Sequence, residues 1–274
     1  MCYVFKVSHS GYYAWLKRKP SLLAIRNELI SKEIEGIYRK SKGRYGSPKI
    51  TKELISKGLY ASRPRVARIM KMKGLRSIIT GKFKVCTTDS NHQLEVSANI
   101  LNREFTAERP SEKWVSDLTY IRTQGGWLYL TVIMDLFDRK IIGWSMSTGM
   151  TAQETVVAAW KMAIRNRSVF RNMIFHSDRG VQYACHEFRK LLKGMSVQQS
   201  MSRKGNCWDN AVSENFFKIL KSETGYNTVY PSIEAAKREL FEFIEIWYNR
   251  QRRHSMLGYL TPEEFGKSIL NQAA

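Results

Sequence analysis

The sequence has 274 residues, an apolar content ordinary for a globular protein, and 45 Lys+Arg against 24 Asp+Glu, a net charge of +21. So large an excess opposes compaction through self-repulsion and points to a polyanionic partner, either nucleic acid or an anionic membrane surface. No stretch approaches the ~18 to 20 apolar residues that span a bilayer, Lys6, Ser8, His9 and Ser10 interrupt any signal-peptide core, and four scattered cysteines (Cys2, Cys86, Cys185, Cys207) without a CxxC pair argue against a disulfide framework or a cysteine zinc site.

A reducing, cytoplasmic setting follows from that cysteine usage, with no membrane partner. The charge is concentrated in front: residues 1–100 hold 21 Lys+Arg and 6 Asp+Glu, a net of +15, whereas residues 101–150 and 201–250 each balance. Within this basic third, residues 21–41 read as a helix with Ser21 as cap and Ile30, Ile34 and Ile37 on one face. Residues 48–57 form a second helix, opened by Pro48 and ended by Gly58. A third covers 63–73, with Ser62 as cap and Val66, Ile69 and Met70 turned inward. Two short helices around a glycine turn have the outline of a helix-turn-helix. Arg63, Arg65 and Arg68 would lie on the solvent side of the second, where bases or phosphates are contacted. The alternative is a merely solvated basic face. Residues 77–110, with little periodicity, read as a linker with extended pieces.

From Lys113 the pattern turns to strands. KWVSDLTYIRT is rich in aromatic and β-branched residues, Gly125-Gly126 makes a turn, and WLYLTVIMDLF is a nearly continuous apolar strand. Asp138-Arg139 turns again into KIIGWSMS, which completes an antiparallel meander. Residues 151–165 read as a helix with Thr151 and Glu154 in a capping box. NMIFHS is a short buried strand, 184–193 a helix closed by Gly194, SVQQS a possible fifth strand, and 209–222 a further helix. The order β-β-β-α-β-α-β-α predicts a layered α/β domain. An aromatic helix over 232–250 and a short helix opened by the capping box Thr261-Pro262-Glu263-Glu264 are expected to pack or assemble rather than catalyse.

Three carboxylates stand in unusual places. Asp117 interrupts the first strand, where a charge is costly to bury without a partner. Asp178 directly follows the strand MIFHS, and strand ends are where sites form in open α/β sheets. Glu214 sits mid-helix between Val212 and Phe216-Phe217. Grouped, they suit phosphodiester chemistry. Two divalent ions ~3.5–4 Å apart activate one oxygen and stabilise another, and hard oxygen ligands favour Mg²⁺ or Mn²⁺. Taken singly, each acid has a plainer reading as a cap, a turn residue or a solvated side chain. Asp138 reads as a turn former. Asp135 is the rival site residue, placed either to support the site or to pair with Arg139 or another cation.

The spacing from Asp178 to Glu214 leaves 35 residues between them, and the words WVSDLTYI, FHSDRGVQY, SRKGNCWDNAVSENFFKILKSE and YNRQRRHSMLGYLTPEEF follow in order. In these the chain resembles the downstream-frame transposases of two-frame insertion sequences, within the superfamily of DDE transposases and retroviral integrases. The resemblance covers roughly residues 20–268. It implies a ribonuclease-H-like catalytic core, a mixed five-stranded sheet with flanking helices, preceded by an all-α helix-turn-helix region. The domains would be 1–76 (basic, helical), 77–110 (linker), 111–230 (core) and 231–274 (helical extension). It also implies that Asp117, Asp178 and Glu214 are the catalytic acids and hold two Mg²⁺ or Mn²⁺ ions. Asn210, Glu214, Lys218 and Lys221, at helical spacing on one face, would set cations beside DNA phosphates.

The implied activity is strand cleavage and 3′-OH strand transfer at the ends of a DNA element, in a bacterial, nucleoid-associated setting. The implied partners are double-stranded DNA, further copies of the chain in a synaptic complex, and a protein of an upstream frame or a fusion with it. The chain departs from retroviral integrases in lacking their His-His-Cys-Cys zinc module, since His9 and His92 alone precede the core. A ribonuclease-H-like nuclease and an inactive DNA-binding relic are the competing functions.

Overall fold

Apolar spacing of three and four residues builds a helical unit at the front of the chain. In the computed structural model, which describes residues 2–78, 94–225 and 229–273, the chain divides into the units Met1–Ile78 and Ile79–Ala274. The first contains α1 (His9–Leu16), α2 (Leu22–Lys40), α3 (Ser47–Ser56) and α4 (Arg63–Met72). Its core is Ile30, Ile34 and Ile37 of α2 against Ile50 and Leu54 of α3 and Val66, Ile69 and Met70 of α4. Pro48 and Pro64 sit in the first turns of α3 and α4, where the missing N–H is not needed. Gly58 takes φ +76° after α3, the left-handed conformation that lets the chain reverse into α4. Ser62 stands at the N-cap of α4 in extended conformation but makes no capping bond through its side chain. Helix α1 has no buried residue, so no core-facing stripe marks it in the sequence.

The second unit is organised on one sheet. Strands β1 (Lys113–Thr123), β2 (Gly126–Asp135), β3 (Ile141–Ser147), β4 (Ile174–Ser177) and β5 (Gln198–Met201) lie in the order β3-β2-β1-β4-β5. The β1–β2 and β2–β3 pairs are antiparallel, and β1–β4 and β4–β5 are parallel. This is the mixed five-stranded sheet expected from the sequence. The hairpin closes at Gly126 with φ +115°, and the second turn at Arg139 with φ +59°. Asp138 supports that turn by accepting from Lys140 N at 3.1 Å.

Helices cover the sheet. A π-helical turn, Gln153–Val157, leads into α5 (Ala158–Asn166), where a plain α-helix was expected. The cap at its start is present, with Glu154 N donating to Thr151 Oγ1 at 3.3 Å. α5 lies so close to β3 that a Cβ at Gly143 would collide with the Ala159 carbonyl and Ala163, so that position requires glycine. The expected helix over 184–193 is α7 (His186–Gly194), and a short helix not expected from the sequence, α6 (Val181–Ala184), precedes it across Cys185 in extended conformation. Trp114, Trp160, Phe175, Tyr183 and Phe188 form the aromatic centre between sheet and helices. A 3-10 turn, Cys207–Asn210, opens α8 (Ala211–Thr224).

The last segments are part of this unit. α9 (Ile233–Phe241) continues into a π-helical stretch, Glu242–Tyr248, and α10 (Pro262–Ala273) follows. Trp247 Nε1 and Arg252 Nε both donate to the buried Glu223 of α8, at 2.7 and 3.0 Å. Asn249 exchanges two bonds of 2.9 Å with the backbone of Ile141 on β3. α10 opens with the expected capping box: Glu264 N donates to Thr261 Oγ1 at 3.1 Å, and Thr261 N to Glu264 Oε2 at 2.9 Å. The described part of the predicted linker also packs, since Ile100 N and Leu101 N donate to Ser200 Oγ on β5 at 2.9 and 3.0 Å. Residues 79–93 of that linker, including Cys86 and His92, lie outside the described residues. Among the described residues no helix is long and apolar enough to cross a membrane.

Candidate active site

Strand register brings the first two acids together. β1 and β4 pair in parallel through Lys113↔Ile174, Trp114↔Phe175 and Val115↔His176. Continued by two residues, that register sets Asp178, the first residue beyond β4, opposite Asp117 in mid-β1. Side chains opposite one another in a parallel pair leave the same face of the sheet. The third acid comes with α8. Asn210 at its N-terminus donates through Nδ2 to the Ser116 carbonyl at 3.4 Å, and Glu214 lies one helical turn further on the same side.

The three acids feel one another's charge. Burial pushes the Asp117 carboxyl well above its ordinary range, and the charges of Asp178 and Glu214 push it further, against the Leu118 amide and Lys221. Glu214 is raised by burial and by Asp178. Burial lowers the Lys221 ammonium, with Asp117 opposing the shift. Like charges gathered in a low-dielectric site oppose one another's ionisation. Each Asp also accepts one neighbouring amide: Leu118 N on Asp117 Oδ1 at 2.8 Å, and Gly180 N on Asp178 Oδ1 at 2.9 Å. Among the described residues no three His, Cys, Asp or Glu side chains converge at metal-ligand spacing. The acids are neighbours whose charges interact, not a closed cage. Their chemistry nevertheless fits a divalent cation, because hard oxygen donors that repel one another are what such an ion binds and neutralises.

Several residues that the sequence did not single out support the acids. Ser116, beside Asp117, donates its hydroxyl to the Val132 carbonyl at 2.8 Å, so the buried Tyr183 hydroxyl donates to Ser116 Oγ at 2.8 Å. Burial and the two nearby aspartates raise the Tyr183 phenol well above its usual range, which keeps it protonated as that donor. His176, two residues before Asp178, lies between Ser200 Oγ at 2.9 Å and Ser202 Oγ at 3.3 Å. Burial pushes its imidazole down to about 4, with Asp209 opposing, so it is neutral at pH 7. Asp209 is fully buried and accepts from Arg203 and from Arg103 Nε at 2.8 Å. These arginines hold its carboxyl below the carboxylate range. Tyr183 and Asp209 both fall inside the quoted motif words, the only signal that could have marked them.

The rival acid Asp135 is structural. Ser111 N, Trp114 Nε1 and Arg167 Nη1 reach its Oδ2 at 2.8, 3.2 and 2.6 Å, and Phe137 N its Oδ1 at 3.0 Å. Its salt-bridge partner is therefore Arg167, not Arg139. Arg167 Nη2 also reaches Asp138 Oδ2 at 2.7 Å. The two carboxylates hold Arg167 protonated. Burial leaves Asp135 somewhat above its ordinary value although Arg167 pulls it down. Of the residues predicted to meet DNA, Arg63 and Arg68 of α4 and Lys218 of α8 are exposed, and Lys221 is half-buried. Arg65 is half-buried and donates to Asn27 of α2. Asn210 corrects the expectation for its position: it is 4 % exposed, so it braces α8 on β1 instead of reaching out to a phosphate.

A sheet of order β3-β2-β1-β4-β5, with acids at its two central parallel strands and on the helix that crosses them, defines a ribonuclease-H-like core of integrase type. The profile described as integrase core domain matches residues 107–207, a second of the same description matches 195–262, and one described as HTH-like domain matches 24–83. The chain is 40 % identical over 274 residues to the insertion element IS600 uncharacterized 31 kDa protein of Shigella sonnei, covering all of both chains. It is 41 % identical over 268 residues to transposase InsF for insertion sequence IS3A of Escherichia coli K12, covering 97 % of this chain and 92 % of the relative. The chain belongs to the insertion-sequence transposases. Solved structures it resembles include a simian T-cell lymphotropic virus intasome in complex with a PP2A regulatory subunit (TM-score 0.48, 15 % identity, 85 % of this chain and 73 % of that one). Another is the HTLV-2 integrase catalytic core in complex with magnesium (TM-score 0.44, 17 % identity, 58 % and 98 %).

Proposed function

We propose that this chain cleaves one DNA strand at the end of an insertion element and joins the freed 3′-OH to a second phosphodiester. Asp117, Asp178 and Glu214 would hold two Mg²⁺ or Mn²⁺ ions. Ions held there would activate the attacking oxygen and stabilise the leaving one, with no covalent protein–DNA intermediate. The observation that supports the reading is the β1–β4 register, which continued two residues past Val115↔His176 brings Asp178 opposite Asp117, with Glu214 raised by burial and by the Asp178 charge.

The remaining roles follow from charge and exposure. Lys218 and Lys221, on the Glu214 helix, would neutralise phosphates beside the acids. Arg63 and Arg68, with Arg65 partly withdrawn to Asn27, would contact DNA from α4 in the helix-turn-helix manner. The reaction joins two DNA sites, so copies of the chain would assemble on paired ends, with a protein of an upstream frame completing end recognition. The domains of this reading are 1–76, 77–110, 111–230 and 231–274.

A strand-transfer assay on oligonucleotides tests it. Asp117→Asn, Asp178→Asn and Glu214→Gln should each reduce joining by roughly a thousandfold or more while DNA binding persists. Normal Mg²⁺-dependent joining by Asp178→Asn would sink the assignment. Cleavage without joining, under every condition tried, would leave a nuclease.

A further inference from the structure

One short loop, between the end of β5 and the start of α8, is tied at both ends to the residues that precede the catalytic aspartates. Ser202 N donates to the Ser177 carbonyl at 2.9 Å, one residue before Asp178. Asn210 Nδ2 donates to the Ser116 carbonyl, one residue before Asp117. Inside the loop Asp209 takes the Arg203 amide at 3.0 Å and its guanidinium at 2.8 Å. The backbone around position 208 is thus held firmly beside the acids.

Trp208 points away from that anchored backbone and is 68 % exposed. Two other exposed rings of this unit lean on a neighbour, Trp127 edge-on to Tyr120 and Phe241 to Trp144, whereas Phe170 is 50 % exposed without a ring contact among the described residues. Among the described residues no ring contact holds Trp208. A buried tryptophan contributes on the order of 150–250 Å² of apolar contact, and here most of it is offered to solvent. Lys204, exposed in the same loop, adds a positive charge near in sequence to the indole, while the Arg203 guanidinium is engaged by Asp209.

We propose that Trp208 is a stacking platform for a DNA base released from its pair next to the scissile phosphate. The proposal rests on the transposase reading above. Opening of the duplex end would bring a single strand closer to the half-buried Asp117 and Asp178, and an unstacked base then needs a new π surface. Basic grooves with exposed aromatic rings meet that need for single-stranded DNA without reading its sequence. Asp209 would hold the platform at a fixed height relative to the metal-binding acids.

The test uses the full chain and duplexes made from the DNA that flanks its gene on either side. The nucleotide at the scissile phosphate is paired, mismatched or abasic, and the cleavage rate is read at subsaturating DNA. On the paired end Trp208→Ala should be slower by roughly ten- to a hundredfold, and Trp208→Phe should retain most of the rate. On the mismatched end the deficit of Trp208→Ala should persist, because the freed base still lacks its platform. With the abasic end the wild type should fall to the level of Trp208→Ala, which should not fall further. An equal Trp208→Ala deficit on intact and abasic DNA would overturn the proposal. So would a change in oligomeric state by sedimentation with no base dependence, which would make Trp208 a protein contact. If the folded wild type neither cuts nor joins any duplex, alone or together with the protein of the upstream frame, the transposase reading fails. Stacking is then read by itself on a forked duplex with 2-aminopurine in its unpaired arm. Quenching by the wild type but not by Trp208→Ala supports the platform, and equal signals reject it.

Discussion

Two groups of acids stand in and around the same sheet under different electrostatic rules. Asp135 and Asp138, around the β2–β3 turn, share Arg167 at 2.6 and 2.7 Å. In the other group burial raises Asp117 and Glu214, the Asp178 charge raises both further, and Glu214 adds to the shift at Asp117, tempered there by Lys221. In the first group the charge is balanced within the fold, so the carboxylates serve structure. In the second the fold gathers like charges whose mutual repulsion raises Asp117 and Glu214, a perturbation of the kind found at functional sites. Asp117 and Asp135 are both in strands of one meander, and what separates them is the partner delivered from elsewhere in the chain.

The contrast is erased most severely at the guanidinium. Arg167→Met should destabilise the fold by about 3–5 kcal/mol, because it leaves two buried carboxylates uncompensated. Urea unfolding measures this, and a loss below about 1 kcal/mol would mean that the pair is no more than a surface bridge. Activity per folded molecule should change little.

The buried imidazole near Asp178 separates the two groups further through pH. Its folded value, about 4, lies below the unfolded value near 6.5, so the unfolded chain binds the extra proton. Stability is then full above pH 6.5 and falls as pH drops toward 4, by at most about 3 kcal/mol. His176→Gln should flatten that part of the pH–stability curve relative to the wild type. Parallel curves would place the acid sensitivity elsewhere.

The smallest expected effect concerns the metal. Mg²⁺ at a hundredfold over its dissociation constant should raise stability by about 2.7 kcal/mol through linkage. The rise in Tm should shrink in Asp178→Asn, and chelator should reverse it. A rise of equal size in Asp178→Asn would place the ion outside the triad.

Local pattern carried much of the architecture. Strands β1 to β3 follow from runs of aromatic and β-branched residues, and α2 to α4 from apolar stripes, because each pattern has a period set by backbone geometry. Where the pattern is absent or interrupted, the reading failed. α1 buries nothing, the four-residue α6 is too short to show a period, and π-helical turns leave no signature in residue spacing. The partner of Asp135 was out of reach as well, since Arg167 is 32 residues away in sequence.

Residue order alone was enough to specify the basic front, the layered α/β core and, through its motif words, three acids with 35 residues between the last two. Periodicity, composition and motif spacing are local or linear properties, and these features are of that kind. The folded chain was needed to show that Asp135 and Asp138 share Arg167, that Asn210 faces inward, and that Trp208 faces out beside the site. Those outcomes depend on strand register and helix crossing, which bring together side chains that no linear spacing relates.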